Sequence, residues 1–275
     1  MAQAASRLGV RMTVLDPAGL ESPAGAVCGH AIKGAYTDPA KVRELASQVD
    51  VITVEIEHVE TSALAELEAG GKPVHPSAAT LSLIQDKFAQ KQHLAKLGNS
   101  VRLGEFCDIP DAKALLAAGS RWGYPLMLKA KRMAYDGRGN LPVGSAEEAA
   151  SCFAKLSRGG EAEVYAERWC PFTKELAVMV ARSASGVTAS YPVVETVQRD
   201  SQCHSVVAPA HVSAAALASA SSIASAAVGS LSGGGIFGVE LFLMEDGSVR
   251  ARLRAPDGAP LTFALTTHPS PSPGP

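Results

Sequence analysis

Residues 51–55 (VITVE) constrain this chain most. They form a mostly apolar run, too short for a core helix, that closes on an acid. Such runs belong to parallel strands covered on both faces, and a covered sheet needs helices above and below it. The neighbouring sequence supplies them. Residues 39–49 place Val42, Leu45, Ala46 and Val49 on one helical face, and residues 61–69 read as a second helix stopped by Gly70 and Gly71. At the start of the chain, residues 2–8 predict a helix, Gly9 its stop, and residues 11–16 a strand ending at Asp16 before Pro17. Helix, glycine, strand and acid make the second half of a βαβ unit. Residues 1–76 are therefore expected to form a Rossmann-like layer without its leading strand.

Two further units are expected. Residues 77–98 hold two helical pieces, followed by a small α+β unit the size of a lid. That unit has a helix over 111–118, a strand over 124–129, a glycine-containing turn over 134–140, a helix over 145–156 opened by a Ser145–Glu148 capping box, and a strand over 163–167. From about residue 174 come two long antiparallel strands (175–182 and 188–195), an Ala/Ser-rich helix (213–231) and a strand (236–244). That last strand carries Gly238, Glu240 and Phe242 on one side; a turn at Asp246-Gly247 and a return strand from Val249 follow. Residues 251–275 change character, and their Pro/Ser end cannot form a packed element. The expected divisions are 1–76, 77–173, 174–250 and a divergent, disordered tail over 251–275.

The bulk properties exclude several classes. A net charge of −2 over 275 residues, with 19% charged residues, leaves no basic footprint for nucleic acid and no polybasic patch for a membrane. The longest uncharged stretch, between His211 and Glu240, is dense in serine and glycine and does not read as a span. The five cysteines are scattered with no CxxC pair, which argues against disulfides and structural zinc and for reduced, mostly core or near-core thiols. The first residues lack the apolar core of a secretory signal. The expected compartment is the cytoplasm, with a plastid the alternative had a leader preceded Met1.

Four segments have residues suited to chemistry. In residues 128–140 (LKAKRMAYDGRGN), Lys129 ends a strand before a turn with two glycines. Glycine-rich turns aim backbone N–H groups at anions, Lys129 neutralises phosphate oxygens, and Arg138 can clamp a planar anion. The competing reading is a basic hairpin with a solvated loop. In residues 167–175 (ERWCPFTKE), two acids flank an apolar knot that could hold a planar base and a ribose hydroxyl, though Trp169 and Phe172 are also ordinary core residues. Glu240 sits on an otherwise apolar strand and should be paired with a basic side chain or bind a cation. Glu55 and Glu57 lie at the C-terminal end of a strand, where α/β sheets place ligands, or simply start a polar loop. His58, His75 and His204 have no ligand-like spacing.

The order of these strings carries more than any one of them. TVEIEHV (53–59), LIQDK (83–87), GYPLMLK (123–129), AYDGRGN (134–140), YAERWCPFTKELAVMV (165–180), SYPVVET (190–196) and GIFGVELFL (235–243) together resemble the ATP-grasp family of 5-(carboxyamino)imidazole ribonucleotide synthases. The same unit forms the ATP-grasp part of fused phosphoribosylaminoimidazole carboxylases. The resemblance runs from about residue 2 to about residue 249. It implies a three-part ATP-grasp architecture, ATP and Mg²⁺ as cofactors, and 5-aminoimidazole ribonucleotide and bicarbonate as reactants joined through carboxyphosphate. It also implies a homodimer and a carboxyaminoimidazole ribonucleotide mutase, fused or separate, as the associated activity.

Position by position, the resemblance gives Lys87 and Lys129 to the ATP phosphates. It gives Glu167, Arg168 and Trp169 to the adenine hinge, and Glu175 to the ribose. Tyr135, Asp136, Gly137, Arg138, Gly139 and Asn140 become the lid loop. Glu55, Tyr135 and Arg138 hold bicarbonate or the aminoimidazole, and Glu240 ligates Mg²⁺. Two departures accompany it. The family's first strand and GGGQLGRM-like turn, which would be central in the first sheet, have no counterpart before Met1. Leu253 stands where a second metal-binding glutamate is expected, between Arg252 and Arg254. The chain is thus expected to be truncated at both ends, and inactivity through that truncation stands beside ATP-dependent carboxylation in purine biosynthesis as an expectation. A different ATP-grasp ligase and a non-catalytic nucleotide-binding remnant are the alternatives.

Overall fold

The computed structural model describes residues 1–132, 139–199 and 202–252. Tyr135, Asp136, Gly137 and Arg138 of the expected lid loop, and residues 253–275 of the expected tail, lie outside the described residues.

The first unit runs α1 (Ala2–Arg7), β1 (Val14–Asp16), α2 (Pro23–Cys28), β2 (Ala31–Lys33), α3 (Pro39–Gln48), β3 (Ile52–Thr53), α4 (Thr61–Ala69) and β4 (Val74–His75). Side-chain caps set several helix starts: Asp38 Oδ1 accepts the Ala40 N–H at 2.8 Å, with Pro39 at the first helical position. The strands form two separate parallel pairs, β1 with β2 and β3 with β4, and among the described residues no strand joins them. This corrects the expectation of a buried strand over 51–55. Only Ile52 and Thr53 are paired, Val51 is exposed, and β3 has one partner instead of two. Likewise the strand expected over 11–16 begins only at Val14. The core of this unit is Val42, Ala46, Ile52, Leu64 and Val74, joined by Ala78 and Leu81 of α5 (Ala78–Gln85).

α6 (Lys87–Ala95) follows α5 directly, with Asp86 between them. Asp86 Oδ1 accepts the N–H groups of Phe88 (3.1 Å) and Ala89 (2.9 Å) and so starts α6. The next unit contains β5 (Phe106–Ile109), α7 (Ala112–Trp122), β6 (Leu126–Ala130), β7 (Asn140–Val143), α8 (Ala146–Leu156) and β8 (Val164–Arg168). Its four strands form an antiparallel sheet in the order β5-β8-β6-β7. Strand periodicity sends Leu126, Leu128, Val164 and Ala166 to one face, where Leu115, Ala118 and Ala149 of α7 and α8 close the core. The capping box expected at Ser145 is not made. Glu148 Oε2 accepts the Gly144 N–H at 2.9 Å, while the Ser145 hydroxyl makes no cap.

The last unit comprises β9 (Phe172–Arg182), β10 (Thr188–Ser190), β11 (Val194–Arg199), β12 (Gln202–Val207), α9 (Ala214–Gly229), β13 (Gly235–Met244) and β14 (Val249–Arg252). The sheet order is β12-β11-β9-β13-β14, with β10 beside the far end of β9. The single long strand expected over 188–195 is two strands, because Pro192 has no N–H to give to the ladder. Leu176, Val178, Val180, Phe237, Val239 and Leu241 point inward onto Ala216, Ala220, Ile223, Ala224 and Val228 of α9. Of the cysteines, Cys203 is exposed and the other four are half-buried.

Loss of side chain at the centre of β9 leaves a void that its paired neighbours cannot fill. Leu176→Ala should therefore lower stability by about 2–5 kcal/mol in urea unfolding. A change below about 1 kcal/mol would contradict the packing described for Leu176.

Candidate functional site

The antiparallel sheet of the middle unit is apolar on one face and polar on the other. Because side chains alternate, the register that buries Leu126, Leu128, Val164 and Ala166 brings Lys129 of β6 and Tyr165 and Glu167 of β8 to the opposite face. Phe106 and Asp108 of β5 share that face, opposite Glu167 and Tyr165 respectively. α6 lies across it. The Phe88 ring meets Phe106 edge-on at 5.8 Å and Tyr165 at 5.6 Å, and Lys91, one turn on from Lys87, reaches inward.

One carboxylate oxygen organises the charges. Glu167 Oε1 lies 2.9 Å from Lys129 Nζ and 3.3 Å from Lys91 Nζ, and it accepts the Tyr165 hydroxyl at 3.1 Å. The Lys91 ammonium also sits 5.4 Å from the centroid of the Phe106 ring. Burial works against the Glu167 charge, but Lys129 and Lys91 outweigh it and lower its pKa to about 2. Burial, and then the Glu167 charge, raise the Tyr165 hydroxyl well above its ordinary value, so it stays a donor. Burial is the largest influence on Lys91 and holds its pKa below the ordinary value, aided by Lys129 and opposed by Glu167.

A second basic group stands beside this cluster. Lys131 Nζ pairs with Asp108 Oδ1 (3.0 Å) and Glu163 Oε1 (3.3 Å) and lies 4.9 Å from the Phe88 ring centroid. The junction of α5 and α6 ties the units together through three consecutive residues. Gln85 Nε2 donates to the carbonyls of Glu57 (2.7 Å) and Val59 (2.8 Å), holding the segment that follows Glu55. Asp86 Oδ2 pairs with Arg132 at 3.0 Å, and the Lys87 N–H donates to the Lys131 carbonyl at 2.8 Å.

The structure places the sequence candidates unequally. Lys129 and Glu167 are in direct contact, and Lys87 is buried on the same helix as Lys91. Gly139 accepts the Ala130 N–H at 2.8 Å and Asn140 pairs with Lys129 in register, so both bracket the lysine. Arg168 turns outward to Glu105 at 2.7 Å. Trp169 is exposed, and Phe172 stacks on Phe242 with ring centroids 4.1 Å apart. Glu175 and Glu240 belong to a second surface, the face of the β9–β13 sheet away from α9. There Phe242 lies opposite Glu175, and Glu240 lies between Ala177 and Arg252 in the ladder. Glu55 is exposed beyond β3. The glutamate expected to line a base slot thus spends its side chain on two lysines. Lys91, Tyr165 and Gln85 were not recognised in the sequence; the one available signal was the spacing of Lys87 and Lys91, which puts two lysines on one helix face.

Comparison with known proteins adds to this geometry. The chain matches the ATP-grasp domain family over residues 92–256 and the ribonucleotide synthetase preATP-grasp domain family over residues 1–85. It is 43% identical over 259 residues to the phosphoribosylaminoimidazole carboxylase of Ogataea methanolica, covering 92% of this chain and 46% of that protein. It is 34% identical to the N5-carboxyaminoimidazole ribonucleotide synthase of Brucella melitensis biotype 1, covering 93% of this chain and 69% of the relative. The crystal structure of carboxyaminoimidazole ribonucleotide synthase from Aspergillus clavatus complexed with ATP is similar, with a TM-score of 0.82 and 41% identity over 90% of this chain and 64% of that one. A structure of the N5-carboxyaminoimidazole synthase of the same organism in complex with ADP and 5-aminoimidazole ribonucleotide gives 0.80 and 38% over 91% and 64%. The chain spans a little under half the length of the fungal carboxylases it matches.

The lowered pKa of Glu167 makes a stability prediction. A carboxyl group held at about 2 in the folded chain, against 4.5 as its ordinary value, stabilises the fold above pH 4.5, and that contribution fades as the pH falls towards 2. Glu167→Gln should therefore cost on the order of 3 kcal/mol at pH 7, and the gap from the unsubstituted chain should close in acid. Unfolding curves at pH 7 and pH 3.5 would check this; a gap that does not narrow contradicts it.

Proposed function

This chain belongs to the ATP-grasp N5-carboxyaminoimidazole ribonucleotide synthase family, with the ATP-grasp fold and a preATP-grasp N-terminal domain; on that premise we propose that it uses ATP to carboxylate 5-aminoimidazole ribonucleotide with bicarbonate. The observation that carries the reading is the charge cluster on the polar face of the middle sheet. Two lysines share one carboxylate, which leaves one unit of positive charge in a shielded site. Phosphoryl transfer needs that kind of arrangement, since its transition state asks for charge neutralisation and alignment more than for covalent help.

In this reading Lys129 and Lys87 meet the ATP phosphates. The backbone of residues 167–169 borders the adenine, and Glu175 holds the ribose. Asp136, Gly137, Gly139 and Asn140 serve the same phosphates, with Gly139 and Asn140 beside the end of β6. Glu55, Tyr135 and Arg138 hold bicarbonate and the aminoimidazole, and Gln85 fixes the segment after Glu55 through the Glu57 and Val59 carbonyls. A bicarbonate oxygen attacks the γ-phosphorus and ADP leaves. The substrate amine then attacks the carboxyl carbon of carboxyphosphate, and phosphate departs. A closed, water-poor site protects that intermediate.

The described residues hold no group of three or more His, Cys, Asp or Glu placed for a metal ion. Glu240 together with phosphate oxygens is the donor set that fits Mg²⁺, which would supply charge neutralisation when bound. The divisions near residues 76 and 173, the homodimer and an associated mutase activity belong to the same reading. A nucleotide-binding chain without turnover is the second reading, favoured by Leu253 at the position matched to a metal-binding glutamate.

The test is ADP release by the purified chain with Mg²⁺-ATP, bicarbonate and 5-aminoimidazole ribonucleotide. Release should depend on all three, and Lys129→Ala and Arg138→Ala should each lower kcat/KM by about a hundredfold or more. Release that ignores the ribonucleotide would point to another acceptor. Nucleotide binding without release would support the second reading.

A further inference from the structure

Lys91 is the least exposed charged group of the site, yet nothing in the proposed reaction uses it. Its side chain is 2% exposed, against 13% for Lys129 and 16% for Glu167. Lys129 is therefore the more accessible of the two lysines to a ligand arriving from solvent. Burying an ammonium this deeply is unfavourable unless it is paired. Among the described residues the acid paired with it is Glu167, which is already paired with Lys129 on the same oxygen.

We propose that Lys91 is a positioning residue for Lys129: by compensating Glu167 from inside the fold, it leaves the Lys129 charge for a phosphate of the bound nucleotide. The inference rests on the ATP-binding reading above. The charge count explains why two cations are needed. With Lys129 alone, the pair with Glu167 would be neutral, and an approaching phosphate would either break that pair or face a shielded carboxylate. With Lys91 present, the cluster stays one unit positive. Glu167 then keeps a partner when Lys129 turns to the phosphate. Tyr165 donates to the same oxygen, so the carboxylate is held in place throughout. The geometry of α6 fixes Lys91 independently of any ligand. Phe88 packs between Phe106 and Tyr165, and the Phe106 ring lies under the Lys91 ammonium.

The arrangement separates the effect of a charge from the effect of a lost contact. Lys91→Met should weaken ATP binding by about tenfold to a hundredfold in calorimetric titration, while adenosine, which has no phosphate, binds as before. Adding Glu167→Gln to Lys91→Met removes the carboxylate that would otherwise capture Lys129, and ATP affinity should return to within about threefold of the unsubstituted chain. Lys91→Gln, which can still donate a hydrogen bond but carries no charge, should behave as Lys91→Met does and serves where the methionine variant does not fold. A purely structural role for Lys91 predicts the reverse pattern: adenosine and ATP weaken together, and the double variant is no better than the single one. That result overturns the proposal, as does an Lys91→Gln variant that binds ATP like the unsubstituted chain. An unsubstituted chain with no ATP affinity removes the ATP-binding reading and this inference together. Normal ATP affinity that Lys91→Met leaves unchanged removes this inference alone.

Discussion

Glu167 Oε1 receives three donors, the ammonium groups of Lys129 and Lys91 and the hydroxyl of Tyr165. The rest of the site depends on that convergence. A shielded carboxylate persists only with partners, and a buried lysine only with an anion, so each makes the other tolerable. Supplying all of them takes two strands in one register and a helix docked across their face. Lys129 comes from β6, Tyr165 and Glu167 from β8, and Lys91 from α6. None of these elements brings the cluster together alone.

The division of the sheet into two faces makes the cluster compatible with a stable unit. Leu126, Leu128, Val164 and Ala166 pack against α7 and α8 on one side, while the charges gather on the other. The same alternation governs the β9–β13 sheet. Leu176, Val178 and Leu241 pack on α9, and Glu175, Glu240 and Phe242 take the opposite face. Each sheet thus holds its core with one side and turns its polar side chains to the other. Residues 85–87 connect these surfaces to the first unit, where Gln85 holds the acidic segment after Glu55. At the other end of α5, Ser77 and Thr80 bond to Ser232 in the loop before β13. The helix pair is therefore hydrogen-bonded to all three parts.

The elements themselves were largely readable from the residues. The helices expected over 39–49, within 77–98 and over 111–118 are present, and the carboxylates of Asp38, Asp86 and Asp111 start them by accepting orphan N–H groups. The strand over β13 and its turn at Asp246-Gly247 followed from alternation and turn chemistry. The misses have equally physical causes. β5 and β12 are short and half polar, and they become strands only because β8 and β11 offer partners. Residues 51–55 looked like a strand buried on both sides, but β3 has one β neighbour and Val51 stays in solvent.

For the site, the sequence by itself determined which chemical groups are available: lysines near strand and helix ends, an acid on an apolar strand, an aromatic knot after β8. The order of those strings also determined the family. Only the tertiary structure decided who meets whom. Lys91, four residues from Lys87 on α6, reads in one dimension as part of a solvated face, and Glu167 reads as an acid beside an aromatic slot. Their pairing depends on the register of β6 on β8 and on the docking of α6, which the packing of residues far apart in the chain sets. Local hydrogen bonding and side-chain periodicity are settled within a few residues, so they can be read in order. The partner of a buried charge is chosen by the whole core around it.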